Sequence, residues 1–123
     1  MVNVRYIVDD VEAAIDFYTT HFGFTLRSSA APAFADVVRG ELRLLLSGPK
    51  SSAGRPMPDG RQPGPGGWNR IHFVVEDIEA DVARLRAAGV RFRNDIITGP
   101  GGKQIVLEDP SGNPIELFQP SPR

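Results

Sequence analysis

The sequence predicts an α+β fold in which one unit, a strand, a helix and three further strands, occurs twice. Three observations carry this. Val8-Asp9-Asp10-Val11-Glu12-Ala13 lies over Val75-Glu76-Asp77-Ile78-Glu79-Ala80 with four identities and two close substitutions. Each copy follows a short β-rich run, Val2 to Val8 and Ile71 to Val75, and each opens a helical pattern. Each helical pattern is followed by three apolar runs with strand character.

The elements follow in order. In the first helix Val11, Ala14, Ile15, Tyr18 and Phe22 recur at spacings of three and four, which puts them on one face. In the second, Ile78, Val82 and Leu85 do the same. An acidic residue stands ready to cap each start, Asp9 or Asp10 and Glu76 or Asp77. Each helix is expected to stop at a glycine, Gly23 or Gly89, because glycine reaches the left-handed conformation without steric cost.

The expected strands are Phe24–Arg27, Phe34–Arg39 and Glu41–Leu46 in the first half, and Val90–Arg93, Lys103–Glu108 and Pro114–Phe118 in the second. Between the halves, Ser47 to Gly67 is rich in Gly, Pro and Ser. Pro49, Pro56, Pro58, Pro63 and Pro65 oppose both a helix and a central strand there. The domain plan is a single domain over 1–123: a first module over about 1–48, a connection over about 49–67 and a second module over about 68–120. That connection is either a plain linker or a functional loop. Side by side, the modules would form a curved mixed sheet with an open cleft on one face and the helices on the outer face.

Strand alternation sorts the side chains. Val4, Tyr6 and Val8 should pack under the first helix, with Asn3, Arg5 and Ile7 facing the cleft. Ile71, Phe73 and Val75 should pack, with Arg70, His72 and Val74 facing it. In the last strand Ile115 and Leu117 should pack, leaving Glu116 and Phe118 in the cleft. A carboxylate among apolar neighbours is costly unless something needs it, which draws attention to Glu116. The corresponding stretch Gly40-Glu41-Leu42-Arg43-Leu44-Leu45-Leu46 places Leu44 in its stead.

Bulk properties narrow the function. The chain has 123 residues, 41% apolar and 24% charged, which suits one globular domain. A net charge of −1 gives no field for nucleic acid or an anionic membrane. No cysteine is present, so disulfides and thiolate sites are excluded. No charged-then-apolar leader opens the sequence and no apolar run approaches the roughly 18 residues of a membrane span, so a cytoplasmic protein is expected.

The doubled Val-x-Asp-Val-Glu-Ala pattern, with Phe17-Tyr18 and Phe22-Gly23-Phe24, closes on Asp109-Pro110-Ser111-Gly112-Asn113-Pro114-Ile115-Glu116-Leu117. In this it resembles the vicinal oxygen chelate superfamily, which includes glyoxalase I, bleomycin-resistance proteins, fosfomycin-resistance transferases and extradiol dioxygenases. The resemblance covers essentially the whole chain and implies paired βαβββ modules. It leaves the reaction open, because one scaffold carries lyases, transferases, dioxygenases and drug-binding proteins.

Metal-dependent members of that superfamily place ligands on the first and last strand of each module. The positions this implies here are Asn3, Leu44, Arg70 and Glu116. Leu44 cannot bind a metal, and the guanidinium of Arg70 has no lone pair to give. Arg70 and Glu116 are instead expected to face each other as an ion pair. That pair is either a structural remnant or a means of holding a ligand oxyanion. His72 shares their face and joins Arg70 and Glu116 as a tentative catalytic residue, although a lone His is more often structural. His72 and Glu116 form a weak alternative metal pair, too few for a site without a third donor.

Trp68, Phe118, Asn3, Arg5 and Leu44 are the expected ligand contacts. Trp68 has core packing as its plain alternative. Gly99-Pro100-Gly101-Gly102-Lys103 reads as a tight turn and not a phosphate loop. Arg84, Arg86, Arg91 and Arg93 read as a solvated basic face, and His21 as a helix-end cation.

The favoured function is metal-independent binding of a small organic molecule by a homodimer, with no cofactor. The alternatives are a glyoxalase-like lyase or dioxygenase with an atypical divalent metal site, and a metal-free enzyme. In the metal-free enzyme Arg70 would stabilise an oxyanion while His72 or Glu116 moves a proton.

Overall fold

The computed structural model describes residues 2–122. The chain divides into two compact units, one ending at Gly66 and the next beginning at Gly67. The first contains β1 (Val2–Ile7), α1 (Val11–His21), β2 (Thr25–Ala30), β3 (Phe34–Arg39) and β4 (Leu42–Ser47). The second contains β5 (Ile71–Val74), α2 (Ile78–Ala87), β6 (Ile97–Gly99), β7 (Gly102–Glu108) and β8 (Pro114–Pro120). The sheets run β1-β4-β3-β2 and β5-β8-β7-β6. In each, the first strand lies parallel to the last and the remaining pairs are antiparallel. The fold is therefore α+β, with two four-stranded mixed sheets.

Both helices start and stop where local chemistry directs. Asp10 and Asp77, not Asp9 and Glu76, are the N-caps. Their carboxylates accept from the backbone N–H of Ala13 and Ala80, each at 3.1 Å. Gly23 and Gly89 follow the helix ends with φ of 68° and 84°. The buried face of α1 is Val11, Ala14, Phe17 and Tyr18, with Ile15 only half-buried. Phe17 joins because ring contacts run from it to Tyr18 and Phe22 at 5.1 and 5.5 Å. Each large side chain so buried contributes about 1.5–3 kcal/mol.

The expected strand over 90–93 does not form as such. Phe92 makes one isolated bridge to Leu107. Arg93 N–H donates to Val106 at 2.8 Å and Glu108 N–H to Arg91 at 2.9 Å. The side-chain oxygen of Asn94 then takes the Val106 N–H at 2.9 Å. An amide side chain thus replaces the next ladder partner, the chain leaves the sheet, and β6 forms three residues later. Gly99 and Gly102 pair across Pro100-Gly101, so that segment is the tight turn expected.

The stretch after β4 is folded on itself. Ser51 donates to the Gly48 carbonyl at 2.7 Å and caps a short 3-10 turn, Ser52–Gly54. Gln62 reaches back to the Gly54 carbonyl at 2.8 Å. The turn before β8 is equally organised. Asp109, buried, accepts from the N–H groups of Ser111 and Asn113, both at 2.9 Å, and from the Asn113 amide at 3.1 Å. The Asp-Pro-Ser-Gly-Asn sequence is therefore architecture that aims β8.

Each sheet packs one face on its helix. In the first unit that face holds Tyr6, Val8, Ala35, Val37, Leu44 and Leu46; in the second it holds Phe73, Ile105, Leu107, Ile115 and Leu117. The opposite faces carry Glu116, His72, Asp36 and Arg5.

Candidate functional site

On the free face of the second sheet, His72 of β5 lies directly across from Glu116 of β8, and Glu116 across from Val106 of β7. Glu116 is 7% exposed. Arg70, just before β5, places Nε 3.0 Å and Nη2 2.9 Å from the same carboxylate oxygen, Oε1. Oε2 is turned to His72 Nε2 at 3.5 Å. The ion pair expected of Arg70 and Glu116 forms, with both guanidinium nitrogens on one oxygen and the other oxygen facing His72. Phe118, two residues along β8, lies against the His72 ring at 5.1 Å and 34°. Arg70, His72, Glu116 and Phe118 are thus brought together on one face.

Trp68 stands beside them, linked through its carbonyl, which accepts from Arg70 Nη1 at 3.2 Å. The residue is 71% exposed and its ring lies under the guanidinium of Arg93 at 4.7 Å. Core packing for Trp68 is therefore ruled out. Arg93 departs from the solvated face expected of it, with a side chain only 18% exposed. It donates to Glu108 at 2.8 Å, to the Gly67 carbonyl at 2.7 Å and to the Gly112 carbonyl at 2.9 Å. One side chain thereby ties the start of the unit to the turn before β8. Arg84, Arg86 and Arg91 stay at the surface, within 3.6, 3.3 and 3.9 Å of Asp81, Asp95 and Glu108.

Leu44 requires a correction. It is fully buried, paired with Val4 and Val37 on the helix side of its sheet, and does not reach the opposite face. The residue equivalent to Glu116 is Leu45. Arg5 and His72 each stand five positions before the capping aspartate, and Arg5 pairs with Leu45 as His72 pairs with Glu116. A one-residue slip in aligning the two turns reverses the face, since side chains alternate along a strand.

The same register exposes a residue the sequence reading passed over. Leu45 pairs with Asp36 of β3, so Asp36 occupies the place of Val106 in the second unit. Each sheet therefore carries one carboxylate in this row, on β3 in one unit and on β8 in the other. Asp36 is 0% exposed. Burial works to raise its pKa, but hydrogen bonds from Ser28, Arg43 and Arg27 outweigh it and hold the carboxyl below its usual value. Ser28 Oγ–H donates to Oδ1; Arg27 Nη1 and Arg43 Nε reach Oδ2 at 3.0 and 2.5 Å. A sequence signal existed, since Asp36 interrupts an apolar strand as Glu116 does. Arg5 shares this face and donates to Ser47 at 3.0 Å; Asn3 pairs with Arg43 and is exposed.

A model of the Glyoxalase/Bleomycin resistance protein/Dioxygenase superfamily matches residues 1–117. The chain belongs to this superfamily.

No curated protein matches the chain. Among solved structures, lactoylglutathione lyase from Agrobacterium tumefaciens has a TM-score of 0.76 at 22% identity, covering 97% of this chain and 92% of its own, a likeness of fold alone. A superfamily member from Sphaerobacter thermophilus DSM 20745 has a TM-score of 0.75 at 30% identity, with 95% and 94% covered. TnmS3, an antibiotic binding protein from Streptomyces sp. CB03234, has a TM-score of 0.71 at 30% identity, with 97% and 93% covered.

The positions that hold a metal in metal-dependent members of the superfamily contain poor donors here. Leu44, and Leu45 in its stead, have none. Arg70 is a cation that already holds one oxygen of Glu116, and His72 Nε2 stands 3.5 Å from the other. Among the described residues no group of three His, Cys, Asp or Glu side chains is gathered that could hold a metal ion. This donor set does not suit a divalent ion.

Proposed function

We propose that this superfamily member binds a small organic molecule on the sheet faces opposite its helices, without a metal ion, in the manner of a sequestering or resistance protein. The occupation of Glu116 carries the reading. Arg70 supplies at that point the positive charge a metal would otherwise supply, and His72 Nε2 stands 3.5 Å from the second oxygen. The likeness to an antibiotic binding protein supports the class of function, and the ligand of that protein is not transferred. Elemental analysis of protein purified without chelator is the test. Less than about a tenth of an equivalent of Zn, Ni, Mn or Fe is expected for a protein with no structural or catalytic metal. A full equivalent that disappears in Glu116→Ala overturns the proposal.

A second reading is favoured by the 3.5 Å approach of His72 to Glu116. In it the protein is a metal-free enzyme. Arg70 would stabilise a developing oxyanion, and His72, with a side chain 45% exposed, would exchange a proton with substrate. Turnover lost in both His72→Gln and Arg70→Gln, with folding retained, would select this reading.

We also propose a homodimer. β1 and β5 each end the strand order of their sheet, and Val2 and Val74 on them are 65% and 63% exposed. Pairing of such edges is a common route to association. Sedimentation at tens of micromolar, roughly where a modest interface would show, should exceed the 13.4 kDa of one chain. A cytoplasmic location belongs to the same proposal; no described helix is long and apolar enough to cross a membrane.

A further inference from the structure

The free face of the first sheet has a polar layout that neither reading above uses. Three guanidiniums project there. Arg43 and Arg27 are fastened by one nitrogen each to Asp36, and Arg5 by one nitrogen to buried Ser47. Each keeps two nitrogens with no partner among the described residues. Asp36 cannot serve as their full counterion, because its single negative charge offsets only one of the three. The patch therefore sets three cations against one buried carboxylate. Between Arg5 and Asp36 in the cross-strand row sits Leu45, half-buried. Val38 and Ile7, also half-buried, extend the apolar floor in the neighbouring rows.

We infer that this face recognises an organic oxyanion, a carboxylate or phosphate ester carried on an apolar body. The inference rests on the reading of the protein as a small-molecule binder and names its ligand class. A planar guanidinium with two nitrogens to spare matches a carboxylate or phosphate edge. Anchoring by Asp36 and Ser47 orders the side chains beforehand, so less freedom is lost on binding. The apolar body lies over Leu45 and its neighbours, where water is displaced at little cost.

The test is a titration of the full chain, followed by amide NMR shifts, with 2-naphthoate, 2-naphthyl phosphate and neutral 2-naphthamide. At least one anion is expected to bind about tenfold tighter than the amide, as charge-assisted hydrogen bonds require. The better of the two identifies the group. Shifts should centre on Arg5, Leu45 and Arg43. Arg5→Gln, which leaves the Asp36 cluster intact, should weaken the anion about tenfold and leave the amide unchanged. Arg5→Lys should fall between, because it keeps charge and loses the planar donor. Arg91→Gln in the other unit removes the same charge and should change neither. Equal affinity for anion and amide, or equal loss in Arg5→Gln and Arg91→Gln, overturns the oxyanion class while small-molecule binding stands. Absence of binding by all three probes at millimolar concentration overturns the inference and leaves the metal measurement untouched.

Discussion

Arg70 gives two nitrogens to a single oxygen of Glu116, which leaves the other oxygen to His72. The carboxylate thereby lies between a permanent cation and an imidazole ring. Breaking the pair from either side should cost about 2 kcal/mol, between the values for exposed and fully buried pairs because the Arg70 side chain is 28% exposed. The double variant Arg70→Met/Glu116→Leu should recover much of that loss. Urea unfolding of the four proteins forms the cycle. Additive single losses would mean the pair is not coupled in solution.

Asp36 should make stability depend on acid. Its folded pKa is depressed below the ordinary value of 3.8. The stabilisation is therefore fully present above about 3.8, the value taken for the unfolded chain, and is lost as pH falls through the lower folded value. Asp36→Asn should be destabilised by about 2–4 kcal/mol at pH 7, since two guanidiniums lose a buried partner. The gap to wild type should narrow below about pH 3.8. A constant gap from pH 7 to pH 3 would contradict this assignment.

Arg93 should resist conservative replacement. Three of its nitrogens serve three acceptors on separate segments, with its guanidinium stacked on Trp68. Lysine has one nitrogen and no planar face. Arg93→Lys should therefore lose at least about 1.5 kcal/mol, and Arg93→Ala not much more. Thermal unfolding compared with Arg91→Lys, a 70% exposed control, measures it.

Gly102 should tolerate no side chain. Its φ is 150°, and a Cβ there would stand 2.1 Å from the carbonyl oxygen of Gln119. Gly102→Ala must therefore displace β8 backbone, at a cost of about 3 kcal/mol or more. At neighbouring Gly101 nothing lies within 4 Å of the same atom, and Gly101→Ala should be nearly neutral. Equal stability of the two variants would refute the packing of this hairpin on β8.

What could be read from the sequence was local. Asp10 with Gly23 and Asp77 with Gly89 mark two helices because a cap satisfies backbone groups within a few residues of itself. The repeat of Val8–Ala13 over Val75–Ala80 carried the fold class for the same reason. The alternation of Ile115, Glu116, Leu117 and Phe118 needs only the pleat of one strand. Pairing between strands is a different matter. Whether Leu44 or Leu45 answers to Glu116 depends on register, which is set by the ladder to β1 and β3. There a slip of one residue moves a side chain from the core to the open face. Asp36 escaped notice because its importance comes from Arg27 and Arg43, brought to it by a bulge in β2 and by the neighbouring strand. Arg93 looked like one of four surface cations until Gly67, Glu108 and Gly112, distant in sequence, closed around it. Local sequence thus marks both helices and most strands, and the apolar face of each. Which charges meet follows from the assembled fold, because a guanidinium's energy depends on acceptors that distant segments bring within 3 Å.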